Sequence, residues 1–259
     1  MRGRWPRLLW GCFRQAVRRD LQFRSQTLIN ALSSIGDLAL GIVPVLILTG
    51  AGGTAWTGSL AVVVVGIYGI STGLMDCFVT PNLAKIDGYV RQGDLDLILV
   101  RPVNAQLFTA LRWMEPAELG RVASGFALVL AGLHTAGLQP APDLVLRALA
   151  WAAIGFVGFS LLWANLVYLA FWFDSAEPVN EIALQLREAG KYPISYFSGP
   201  ARLVLSTVAP AGLIAAVPVQ TLTGTTSHLL LALPALVVGL LLTVLHWQLA
   251  SRRYSSASS

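Results

Sequence analysis

Apolar residues recur at helical spacing through the first stretch of the chain. Trp5, Leu8, Leu9, Cys12, Phe13, Ala16, Val17 and Leu21 fall on one stripe, with Arg4, Arg7, Arg14 and Arg18 off it. The pattern predicts an amphipathic helix over residues 1–24 that lies along a membrane interface, where arginines meet anionic headgroups and tryptophans suit the boundary. Beyond it the periodicity gives way to apolar runs at 27–49, 57–79, 119–138, 145–173, 201–221 and 229–249. These reach the roughly 18–20 residues that a bilayer core requires, so the chain is expected to be an all-α membrane protein with six transmembrane helices in residues 25–250. The fourth run is long enough to tilt or to project from the membrane. The fifth contains Pro210 and Pro218 and is expected to be broken, its outer part dipping back as a short re-entrant turn. Such backbone is tolerated only where it is buried in protein or lines a cavity. "GLQPAPD" and "TGTTSH" supply the turns between runs three and four and between five and six.

Composition agrees with a membrane solvent. The mean hydropathy is +0.66 and charged residues make up 12% of the chain, about half the usual share of a soluble domain. The pI near 9.6 does not point to nucleic acid, because the basic residues are placed as a topology signal. With the N-terminus inside, 17 of the 18 lysines and arginines fall on inner segments and only Arg147 lies outside. Both termini are therefore expected in the cytoplasm, with inner loops at about 80–118 and 174–200 and a short polar tail at 251–259. Arg18-Arg19 is not read as a twin-arginine export signal, since no cleavage site closes a short apolar region and the next run is long enough to span. Cys12 and Cys77 fall on the inner half, where a disulfide is not expected, and two thiols are too few for a metal site.

One inner stretch is dense in charge: "YVRQGDLDLILVRPVN", residues 89–104. Gly93-Asp94 reads as a helix start, with Asp94 capping the next amides and Asp96 in the electropositive first turn. Leu95, Ile98 and Leu99 form an apolar face, and Pro102 pushes Arg101 out of helical geometry after about two turns. A short strand, "LDLILV", is the competing reading, because six residues do not settle the period.

The stretch "GDLDLILVRPVN" resembles the G-x-L-D-x-x-L-x-R-P signature of an ABC-2-like bacterial branch of type-2 ABC exporter permeases that includes drug and viologen exporters. Gly93, Leu95, Asp96, Leu99, Arg101 and Pro102 carry the match. The amphipathic N-terminal elbow, the six spans, the proline-punctuated "VAPAGLIAAVPVQTLTG" and the closing "RRYSSAS", similar to the branch's R-Y-x-S-A ending, extend it along the chain. The resemblance implies a permease subunit in the bacterial cytoplasmic membrane that moves a drug, a lipid-like molecule or another amphiphile outward. It implies an ABC ATPase subunit carrying ATP and Mg, a second permease subunit in a homodimer or heterodimer, and no cofactor or catalytic site in this chain. It also gives Arg91, Gly93, Asp94, Leu95, Asp96, Leu99, Arg101 and Pro102 the role of coupling to that ATPase.

The residues themselves fit this division of labour. No G-x-x-x-x-G-K-[ST] occurs, so nucleotide chemistry belongs to another chain, and "GAGGTAWTG" lacks the lysine. No H-E-x-x-H occurs, and His134, His228 and His246 are scattered. Asp37 is the one acid near the centre of a span. It is expected either to attract cations in a translocation path or to accept a hydrogen bond from Ser33 or Ser34. Asp76, near the inner end of span two, is expected to pair with Lys85 or Arg121. Asn165 and Tyr168, among the small and aromatic residues of span four, are candidates for the path, with helix packing as the alternative use. An ion-coupled transporter using Asp37 is the second functional reading, and a structural membrane protein the third.

Overall fold

The computed structural model describes residues 4–50, 57–173, 177–192, 197–203, 205, 210–224 and 232–254. The segments 51–56, 225–231 (with His228) and 255–259 (most of the closing motif) lie outside them. Among the described residues every regular element is helical.

Helix α1 (Arg4–Gln22) and α2 (Arg24–Gly50) meet at a bend at Phe23. The hydroxyl of Thr27 donates to the Asp20 carbonyl at 2.8 Å and the Arg24 side chain donates to the Leu21 carbonyl at 3.1 Å, so carbonyls at the bend keep partners. The apolar stripe of α1 faces inward: Ala16 is buried and Trp5, Leu8, Leu9, Cys12, Phe13 and Val17 are partly covered, while Arg7, Arg14 and Arg18 are exposed. Leu21, at the bend, is the one member of the stripe left exposed.

Among the described residues, five helical stretches are long and apolar enough to cross a membrane: Arg24–Ile47, Gly58–Gln92, Pro116–Thr135, Pro142–Phe171 and Leu233–Arg253. Their cores are α2, α3 (Gly58–Phe78), α8 (Leu119–Thr135), α9 (Pro142–Val167) and α13 (Ala232–Arg253). Helices α3 and α8 pack closest. A Cβ on Gly125 would lie 2.7 Å from the Gly66 carbonyl oxygen and 2.8 Å from the Ile70 nitrogen, so the two backbones touch where glycine leaves room.

Between α3 and α8 the chain leaves the bundle and returns through four short helices: α4 (Thr80–Leu83), α5 (Ile86–Gln92), α6 (Leu95–Leu99) and α7 (Ala105–Leu111). Fully buried Asn82 closes this excursion: its amide donates to the Phe78 carbonyl at 2.7 Å and the Trp113 carbonyl at 2.8 Å, and it accepts from the Trp113 amide at 2.8 Å. The Glu115 amide also bonds the Cys77 carbonyl at 3.0 Å, so both feet of the excursion meet.

The expected fifth span, 201–221, is not one helix. Its described parts are α11 (Gly199–Leu203), a tight turn Ala211–Leu213 and α12 (Ala216–Leu222). Moreover, residues 177–191, expected in a cytoplasmic loop, pack one face against the bundle as α10 (Glu177–Glu188) and a turn Ala189–Lys191. The register along α9 shows the arrangement. Trp163 donates to Asn180 on α10 at 2.9 Å, whereas Trp151 and Ile154, farther along α9, pack on Leu213 and on Val217 of α12. Helix α10 and the 211–222 segment thus stand end to end where a single partner of α9 would run. At the junction a Cβ on Gly190 would lie 2.6 Å from the Ala211 carbonyl oxygen, so the two halves touch only because this residue is glycine. Ser71 of α3 donates to the Ile214 carbonyl at 3.1 Å, satisfying an acceptor that the break leaves open.

Candidate functional site

A cavity of about 440 Å³ opens beside this break. Asp37, Leu38, Leu40, Gly41 and Pro44 of α2 form one wall, Val65, Tyr68, Thr72 and Asp76 of α3 another, and Arg121, Arg187, Glu188 and Lys191 the base.

The charges at the base form two linked groups. The Asp76 carboxylate accepts from Arg121 at 2.7 Å through one oxygen and from Arg187 at 2.5 Å through the other. Arg187 is 7% exposed and its guanidinium lies 5.7 Å from the Trp163 ring centre. Arg121 also faces Glu118 at 3.5 Å, and Glu118 accepts from the Ser34 hydroxyl at 2.7 Å. Beside them Glu188 accepts from Tyr68 at 2.7 Å and from Lys191 at 2.5 Å. Helices α2, α3, α8 and α10 are therefore joined by ion pairs and charge-assisted bonds in a poorly hydrated setting, where paired charges hold firmly and a stranded one is costly.

Asp37 lines this cavity, exposed and with no hydrogen bond or ion pair among the described residues. The alternative use of Ser34 as its partner does not occur, because Ser34 bonds Glu118 instead. Of the two partners expected for Asp76, Arg121 is present. Lys85 instead lies over the Trp113 ring at 4.7 Å. Arg187 and Lys191 entered the sequence reading only as inner charges, and Glu188 not at all.

Asn165 and Tyr168 lie away from the cavity, against α13. Asn165 donates to the Thr243 hydroxyl at 2.7 Å and to the Leu161 carbonyl at 2.8 Å, and its oxygen lies 3.0 Å from His246 Nδ1. Buried Tyr168 packs on His246 and Trp247 at 5.6 and 5.2 Å between ring centres. Gln106 of α7 reaches into the same cluster, donating to the Thr243 carbonyl at 3.2 Å and to the Tyr168 oxygen at 3.5 Å. This is the packing use of the two residues, and Gln106 is a member that sequence reasoning missed.

The charged stretch is helical, so the strand alternative falls, but its start differs from expectation. Gly93, at φ 80°, ends α5 in a left-handed cap. Asp94 then has helical dihedrals and makes no side-chain cap. Helix α6 is only five residues long and presents two faces. Leu95 and Ile98 are each 1% exposed, while Leu97 is 63% and Val100, just past its end, 80% exposed. Leu99, expected on the buried face, is also exposed, because in a single turn Leu95 and Ile98 take the inward positions. Arg91 pairs with Asp87 at 3.6 Å. Arg101 folds back, its Nε donating to the Leu97 carbonyl at 3.2 Å and its guanidinium lying 5.2 Å from the Phe108 ring centre. Pro102 follows, exposed, at the end of the helix.

A family model described as "ABC-2 family transporter protein" matches residues 40–258. No curated protein and no solved structure matches the chain.

Proposed function

The chain belongs to the ABC-2 transporter family and is a membrane permease of an ABC transporter; from that premise we propose that it works as an exporter driven by a separate ATPase subunit. Helix α6 is the element that meets the ATPase, on the cytoplasmic side, as part of a rigid excursion whose feet are the ends of α3 and α8. The observation that carries this reading is the pair of faces on α6. Leu95 and Ile98 seat the helix, and Leu97 and Val100 are left over as bulky apolar side chains at its tip. A large apolar side chain on a short, charge-flanked helix suits insertion into a groove, with Arg91 and Arg101 setting register.

The cavity at the break in the fifth crossing is the part of the path nearest this lever. A break lined by charge and closed by ion pairs from four helices is an arrangement that two packings of the same helices can open and close. Apolar Leu38, Leu40, Pro44 and Val65 together with Asp37, which has no partner among the described residues, suit an amphiphile. The functional unit has two permease subunits and two ATPases, because one copy brings a single set of crossings. ATP and Mg reside on the ATPase.

The test is to isolate the chain with its ATPase and compare it with Leu97→Asp and Val100→Asp. Both positions are exposed, so the variants should reach the membrane at normal abundance while losing the ATPase by at least tenfold in co-purification. Retention of the ATPase by both variants would refute docking at α6. Asp37, without a partner among the described residues, also keeps ion coupling as a second reading. It predicts transport that follows an imposed ion gradient in vesicles without any ATPase, which the exporter reading forbids.

A further inference from the structure

The closing R-Y-x-S-A motif has no role in the docking reading, yet its tyrosine sits beside α6. Tyr254 follows α13 directly, packs its half-buried ring at 6.3 Å from Phe171, and joins the apolar cluster that contains Leu95 and Ile98 of α6. Its hydroxyl is buried without a well-aligned partner among the described residues. Asp96 of α6 is the acid it faces: burial, then the Asp96 charge, push the phenol above its ordinary pKa. A second tie lies about three turns farther up α13, where Gln106, past α6 in the chain, donates to the Thr243 carbonyl at 3.2 Å. That carbonyl sits within a helix, so the bond grips backbone and not a movable side chain. Phe171 and Trp247, at 5.9 Å, fill the space between the two ties.

We propose that Gln106 and Tyr254 are positioning residues that join the ATPase-facing excursion to the last span, so that displacement of α6 is carried into α13. The inference rests on the docking reading and gives Asp96 an internal role, which is to hold Tyr254 while the exposed tip of α6 meets the partner. Two fastenings on one helix, separated along its axis, resist both sliding and rotation of the excursion against α13, which a single one would not.

The experiment uses the complex of the chain with its ATPase in lipid vesicles, with Cys12 and Cys77 replaced by alanine. A fluorescent thiol label is placed at Gln248→Cys on the exposed side of α13, or at exposed Gln92→Cys at the end of α5, where it reports on α6 from outside the docking tip. ATP with Mg and vanadate is added. Both labels should change signal in the parent complex. In Gln106→Leu with Tyr254→Phe, which keep shape and apolar packing, the α6 signal should persist and the α13 signal should fall at least threefold, with ATP hydrolysis retained. Restoring Gln106 alone should recover part of the α13 signal, which a mere loss of folding would not show. An α13 signal unchanged in the double variant overturns the inference and leaves docking intact. Absence of an α6 signal in the parent complex overturns the docking reading and this inference with it.

Discussion

Asp76 is the hinge of the charge network, and replacing it separates the contributions of its partners. In Asp76→Leu the Arg187 guanidinium, 7% exposed, loses its hydrogen-bonded carboxylate and keeps the Trp163 ring 5.7 Å away and the unbonded charge of Glu188, whereas Arg121 still has Glu118 at 3.5 Å. Stranding a buried charge in this way costs about 3–5 kcal/mol. Arg187→Met is milder, because Asp76 retains Arg121 at 2.7 Å. Losing one partner of a buried acceptor costs about 1–3 kcal/mol. The double variant, Asp76→Leu with Arg187→Met, removes the stranded charge and fills the space with apolar atoms. It should be more stable than Asp76→Leu alone, since buried ion pairs replaced together by hydrophobic residues are often neutral. Thermal unfolding of purified protein in detergent, followed by loss of the monodisperse peak, reads the order directly. At about 2–4 °C per kcal/mol for a chain of this size, Asp76→Leu should lose roughly 6–20 °C and the double variant should recover a good part of it. A double variant less stable than Asp76→Leu would refute the network, because the two changes would then be acting as independent losses.

Three further outcomes are expected. Gly125→Leu should lower abundance and thermal stability sharply, by more than the ~1–3 kcal/mol of ordinary overpacking, because the new side chain meets the α3 backbone and not a movable side chain; immunoblot and unfolding midpoint check it. Asp37→Asn should leave co-purification of the ATPase unchanged while altering which amphiphilic compounds the cells resist, and an unchanged resistance spectrum removes Asp37 from the path. Cysteines at exposed Gln92 or Val100 should be shielded from impermeant reagents in intact cells and reactive in inverted vesicles; labelling from outside would reverse the orientation read from the lysines and arginines.

The long crossings were legible because each is an apolar run of bilayer length, and the elbow because its apolar residues repeat at 3.6. The fifth crossing was half legible. Pro210 and Pro218 announced a break, but the helix that meets it end to end, "EPVNEIALQLRE", is polar enough to read as a loop. Its signal was Val179, Ala183 and Arg187 at a four-residue spacing after Pro178 in the first turn. The topology count treated Arg187 and Lys191 as solvated charges, and so hid that they close a cavity. A one-dimensional pattern records the cost of burying an arginine but not the carboxylate, 111 positions away in the chain, that offsets it. At Gly93-Asp94 both residues fit a helix start, and only the backbone reveals that glycine ends the previous helix in place of aspartate beginning the next. Tyr168 and Asn165 were ambiguous for a similar reason: a polar side chain in a span marks either a path or a helix contact, and the contacts with Thr243 and His246 lie far along the sequence.

The closure of the excursion at Asn82 has a modular consequence. Cys77 and Glu115 are bridged backbone to backbone, and Asn82 ties Phe78 to Trp113, so residues 79–114 leave and re-enter the long helices through one narrow neck of fixed width. A segment anchored in this way is a cartridge. Away from the residues that pack on the core, its exposed turns can be lengthened between the feet at a cost that grows only slowly with length, while the helices that carry it keep their spacing. If α6 docks the ATPase as proposed, the choice of motor and the choice of cargo are written in different parts of one chain.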